Sequence, residues 1–137
     1  MIDFFSESDF QLQDDAAISS WITKIIAEEE FTLGEINYVF CDDAALHKIN
    51  LEYLQHDTLT DIISFDYSVG KLLNGEIYIS IERVKENSKQ FKVTFENELL
   101  RVMIHGILHF MGYKDKSPEE KHLMRQKEDE AISKFNL

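Results

Sequence analysis

Cysteine occurs once in the 137 residues, proline once and glycine five times. The lone Cys41 excludes an internal disulfide and a closed thiolate metal site, since both need partners it does not have, and it fits a reducing compartment. It reads as a small buried apolar residue at a strand end. With little Pro and Gly and 44% hydrophobic residues, the chain is ordinary for a folded domain and argues against disorder. No apolar run approaches the roughly 18 residues of a membrane span. The N-terminus, MIDFFSESDFQLQDD, lacks the basic and apolar regions of a signal peptide. The expectation is one cytoplasmic domain over residues 1–137, large enough to fold without staples.

Basic residues are also scarce: 14 Lys and Arg stand against 26 Asp and Glu, a net charge of −12. That total disfavours a nucleic-acid partner. The distribution tempers the conclusion. Residues 1–31 hold eight acids and one base, Lys24, whereas residues 83–127 hold ten bases and six acids. Solvated helix faces would give such a split too, but it leaves one region able to meet an anion.

Inside that basic region lies HGILHFMGYKD, residues 105–115. On a helix His105 and His109, four apart, lie on one face and can reach a common cation roughly 2 Å from each nitrogen. Gly112 can take the left-handed conformation that ends a helix and turn the chain back, delivering Asp115. Three protein ligands with a further position open is the catalytic pattern for zinc. A metal-free, hydrogen-bonded His pair is the competing reading, and the Gly turn with its Asp weighs against it. His122 is a rival third ligand.

Periodicity places the rest. Ile2, Phe4 and Phe5 read as a strand, and residues 16–30 as an amphipathic helix with Asp14 or Asp15 as N-cap. After Gly34, residues 35–41 read as a strand, and Asp42 or Asp43 opens a helix through Leu46, Ile49, Asn50 and Tyr53. Ile62–Phe65 and the strand opened by Gly75 (EIYISI) form a hairpin across a long loop. Residues 82–91 read as a helix basic on one side, Thr94 caps the histidine helix, and Ser117-Pro118-Glu119-Glu120 forms a capping box. The order βαβαββααα is an α+β fold: one small mixed sheet of about four strands packed with helices, the metal site on a central helix.

Together with NLEYLQHDTLTDIISF and GEIYIS, the histidine segment resembles the YbeY family of metal-dependent endoribonucleases, over about residues 35–130. The resemblance implies an α+β fold, one zinc-like ion, and cleavage of single-stranded RNA in maturation of the small-subunit rRNA 3′ end and in ribosome quality control. It also implies rRNA, and ribosomal proteins or small-subunit precursors, as partners. His105 and His109 match the family's first two ligands, and Asp115 stands where a third histidine is usual, after Lys114 in place of Asp. Carboxylate oxygen also binds zinc, with altered preference. Leu54 replaces an Arg expected to contact RNA, and Leu59 and Asp66 replace prolines. His56, Arg83, Lys85, Lys89 and Arg101 are candidates to supply the missing phosphate contact. Thr60, Asp61 and Ser64 match the family and are candidates to line the cleft.

The spacing is shared with metzincin peptidases, which carry a Glu base directly after the first His; here that position is Gly106. Glu98, seven residues before His105 and on the same helix face, is the candidate base or a partner of the ligands. A non-enzymatic reading, a ribosome-assembly factor with a structural metal, differs in predicting a coordination sphere saturated by protein atoms.

Overall fold

A computed structural model describes residues 1–55 and 59–135. The elements are β1 (Ile2–Ser6), α1 (Asp15–Glu28), β2 (Thr32–Cys41), α2 (Asp43–Leu54), β3 (Ile62–Asp66), β4 (Leu72–Ser80), α3 (Ile81–Phe91), α4 (Phe95–Phe110) and α5 (Pro118–Ser133). This is the expected α+β order. The sheet runs β1-β2-β4-β3, with β1, β2 and β4 parallel and β3 antiparallel at one edge.

Period-2 alternation gives the sheet two distinct faces. Ile36, Tyr38 and Phe40 of β2 and Ile77 and Ile79 of β4 join α1 and α4 in the main core, which includes Ile22, Ile26, Met103, Ile104 and Ile107. The Tyr38 hydroxyl donates to the Met103 carbonyl at 2.9 Å, so the one polar atom of that buried ring is satisfied and ties β2 to α4. The Trp21 indole does the same between α1 and α5, donating to the Ala131 carbonyl at 2.8 Å. On the opposite face α2 covers a smaller cluster of Cys41, Leu46 and Ile63. Cys41 is buried there, and burial pushes its thiol up to about 12, which suits the apolar role expected of it.

Asp14, one of the two residues expected there, is the N-cap of α1, although its backbone is left-handed (φ 56°) and its side chain makes no cap bond; Asp15, in the first turn, accepts the Ala16 N–H at 2.8 Å. Two local expectations are corrected. Gly34 lies within β2 rather than before it, at an irregularity between Leu33 and Ile36 where a Cβ would sit 2.6 Å from the Leu73 carbonyl. β4 begins at Leu72, three residues before Gly75, so the hairpin loop is shorter than its sequence suggests. Its register runs from Ile62↔Ile79 to Asp66↔Gly75.

The caps that position α4 and α5 follow their sequence signals. Thr94 accepts the Asn97 N–H at 3.1 Å, and Ser117 and Glu120 form a reciprocal capping box with Pro118 in the first turn. Gly106 has a role that spacing did not show. A Cβ there would meet Ile77 Cδ1 at 2.9 Å and Ile62 Cδ1 at 3.2 Å, so this glycine lets α4 lie directly on β3 and β4.

Candidate metal centre

α4 ends in a Schellman turn: the Gly112 N–H donates to the His109 carbonyl and the Tyr113 N–H to the Leu108 carbonyl, both at 3.0 Å, with Gly112 at φ +99°. The reversal carries Asp115 back over the end of the helix. His109 Nε2 then lies 3.0 Å from His105 Nε2 and 3.3 Å from Asp115 Oδ2, and His105 Nε2 lies 3.2 Å from the same oxygen. Among the described residues these three form the cluster able to hold a cation. His122 is exposed on α5 and stands outside it.

The donor set fits a divalent ion. Tetrahedral coordination with bonds of about 2.0–2.1 Å requires ligand atoms roughly 3.3–3.4 Å apart, and the observed triangle approaches that on every side. Its electronic arrangement fits as well. His105 Nδ1 is 2.7 Å from Glu128 Oε2, so a proton on Nδ1 leaves the Nε2 lone pair facing His109 and Asp115. Three electron-rich atoms facing one point need a cation or a shared proton between them.

Glu128 is the residue the sequence reading missed. It is a buried acid on α5, and its second oxygen accepts from Arg101 Nη1 at 2.9 Å while Arg101 Nη2 reaches Asp129 at 2.7 Å. Arg101 and His105 are one turn apart on α4, so a chain Asp129–Arg101–Glu128–His105 locks the imidazole from behind. A usable signal was present: Glu128 interrupts the apolar stripe of α5 between the buried Met124 and Ala131. Arg101 is thereby removed as a phosphate contact, because both arms of its guanidinium are occupied. Glu98 is likewise not the partner of His105; that place is taken by Glu128.

Burial alone would push the His105 pKa down, but the Glu128 hydrogen bond and charge, with Asp115 and Asp61 behind them, outweigh it and hold the imidazole above its usual value. Burial raises Asp61 and Glu98 above the ordinary carboxylate range, and each lies near the other's charge or that of Glu128. Both line a cavity of about 280 Å³ that opens beside His105 and Asp115.

The remaining candidates divide. Arg83 is paired with Asp43 at 2.8 Å, and Lys89 lies 3.9 Å from Glu86. These pairs reduce the basic side expected of α3, where Lys85 remains exposed. The Thr60 hydroxyl donates to the Ile62 carbonyl at 3.3 Å and so holds the turn into β3; Asp61 faces the cavity and Ser64 is not among its lining residues. Leu54 and Leu59 are exposed, and Asp66 accepts the Ser68 N–H at 2.9 Å. His56 lies outside the described residues.

Two imidazoles and a carboxylate converging from a helix and its terminal turn, with one imidazole braced by a buried carboxylate, are of the class of site that could hold a divalent ion. A family model described as Endoribonuclease YbeY matches residues 4–136. The chain is 57% identical over 137 residues to the endoribonuclease YbeY of Flavobacterium johnsoniae, covering 100% of this chain and 99% of that one. It is 46% identical over 129 residues to that of Karelsulcia muelleri, covering 94% and 92%. The solution structure of TM1509 from Thermotoga maritima superposes with a TM-score of 0.70 at 26% identity, covering 98% of this chain and 89% of that one. The chain belongs to the endoribonuclease YbeY family.

Proposed function

We propose that this protein is a single-strand-specific endoribonuclease acting on rRNA precursors in the cytoplasm, with one zinc ion held by His105, His109 and Asp115. The observation that carries the reading is the convergence of Nε2, Nε2 and Oδ2 within 3.3 Å, with Glu128 fixing the tautomer of His105. When bound, the cation supplies Lewis acidity toward a water and a phosphoryl oxygen.

The protein groups do the rest. Glu128, itself held by Arg101, orients the His105 ring and keeps its lone pair on the ligand side. Glu98 sits in the adjoining cavity with its pKa raised, so it can hold or release a proton nearer neutral pH than an ordinary carboxyl, which is what a general acid or base needs. Burial is the main cause of that rise, and the charge of Asp61, which shares the cavity, adds to it. The exposed lysines of α3, Lys85 and Lys89, suit the outer path of an RNA strand. The peptidase reading loses support twice over, since position 106 carries no acid and faces Ile77 and Ile62 in the sheet.

The test compares wild type with His109→Ala on an unstructured RNA with metal restored. Cleavage should disappear in the variant while the fold survives, because the core does not depend on the metal. Equal cleavage by both points to a contaminating nuclease, and no cleavage by wild type with several metals returns the protein to a purely binding role.

A further inference from the structure

The cavity beside His105 and Asp115 has an interior and a rim of different character. Inside, Arg101 is committed to Glu128 and Asp129, and Glu128 to His105, while Asp61 accepts from Asn87 at 3.4 Å. The rim carries two exposed residues with no such commitment. Phe91, the last residue of α3, is 52% exposed although it lines the cavity. Arg125, one turn before Glu128 on α5, is exposed and forms no ion pair or hydrogen bond among the described residues. Its charge reaches Glu98 only through space.

An unpaired guanidinium and an exposed ring on one small cavity are the two elements that bind a nucleotide without reading its sequence: a cation for the phosphate and a flat apolar surface for the base. We infer that this cavity is a one-nucleotide subsite of the ribonuclease site, the base stacking on Phe91 and the neighbouring phosphate held by Arg125. The inference rests on the ribonuclease reading and adds to it the residues that seat the strand. Asp61, Glu98, Asp115 and Glu128 line the cavity against two guanidinium groups. A dication at the histidines offsets that excess, so the strand enters the metal-loaded protein. With Arg101 bound to two carboxylates, Arg125 is the guanidinium left to contact a phosphate there.

The experiment measures binding of an unstructured 2′-O-methyl oligoribonucleotide to the zinc-loaded full chain as a function of salt, with thermal melts to show that each variant is folded. Arg125→Gln should weaken binding several-fold at low salt and lower the slope of log K against log salt by about 0.7, the share of one phosphate contact on a single strand. Arg125→Lys should restore the slope. Phe91→Ala should weaken binding about tenfold with the slope unchanged, and Phe91→Tyr should retain it. An unchanged slope in Arg125→Gln, which would leave that residue a mere counter-charge for Glu98, or unchanged affinity in Phe91→Ala overturns the subsite while leaving the ribonuclease reading intact. Absence of binding by wild type, together with absence of cleavage of the matching RNA, overturns both.

Discussion

On the face of the sheet covered by α1 and α4, with α5 packed outside α4, a charged network runs from the exposed Asp129 through Arg101 and the buried Glu128 to His105. On the face covered by α2, the apolar cluster is small and an open groove of about 550 Å³ lies between Tyr53, Phe65, Tyr67 and Tyr78. Its polar contacts are long and solvated: Tyr67 and Tyr78 donate to Glu76 at 3.3 and 3.5 Å. Precision is concentrated on the face that holds the candidate ligands. A cation site tolerates little movement of its ligands, so His105 is placed where a chain of charged partners fixes it. The other face has no such demand: its short charged contact, Arg83 to Asp43 at 2.8 Å, ties the start of α2 to α3 and orients no ligand.

The largest effect should come from cutting the network. Glu128→Ala leaves Arg101 and His105 partly buried without their shared carboxylate, which should cost about 3–5 kcal/mol of stability and reduce metal affinity roughly 10- to 100-fold. Denaturant titration and zinc competition read the two quantities. Glu128→Gln should keep more of the stability than of the metal affinity. A stability loss below about 1 kcal/mol in Glu128→Ala would erase the contrast between the faces.

Next is the glycine on which α4 rests. Gly106→Ala gains about 1 kcal/mol of helix propensity but forces Ile77 and Ile62 aside, an overpacking that costs about 1–3 kcal/mol, so the net should be a loss of at most about 2 kcal/mol. Chemical denaturation checks it. Gly106→Glu, the peptidase-like residue, should fail to fold, because its carboxylate would be driven into the sheet.

How much of this was legible follows from the range of the interactions. His105, His109, Gly112 and Asp115 are within eleven residues of one another, and helix geometry with one left-handed turn dictates how they meet. The caps at Asp42, Thr94 and Ser117 were readable for the same reason, since each bonds a backbone N–H three residues on. The buried position of Glu128 shows in the stripe of α5, but what Glu128 and Arg125 meet depends on how α5 crosses α4, which no local spacing encodes. Arg101 was legible as a base and misread as available, because its partners lie 27 and 28 residues away. The sheet order and the role of Gly106 likewise emerge only from packing between elements.

A pH experiment separates the faces without a substitution. His105, Asp61 and Glu98 all have raised pKa values in the fold, so each binds its proton more readily there than in the unfolded chain. The His105 contribution is fully present below about 6.5 and is lost as pH rises through its raised value; those of the carboxyls are present below about 4 and lost in the same sense. Chelator-treated protein should therefore melt higher in mild acid than at alkaline pH. Added zinc should stabilise more at alkaline pH than in acid, since its ligands must give up their protons. A zinc-induced shift in melting temperature that does not grow with pH would remove the His–His–Asp cluster as the binding site.

The smallest effect belongs to the α2 face. Tyr53 is 66% exposed, and its ring meets Phe65 edge-on at 5.9 Å, so the pair sits at the weak end of aromatic contacts. Tyr53→Ala should cost about 0.5 kcal/mol and leave zinc affinity unchanged, because no hydrogen bond runs from that ring toward α4 or α5 and the sheet stands between them. Denaturation and the same zinc competition supply the comparison with Glu128→Ala. If Tyr53→Ala changed zinc affinity as much as Glu128→Ala does, the sheet would be transmitting strain from one face to the other. The two faces would then behave as a single coupled unit.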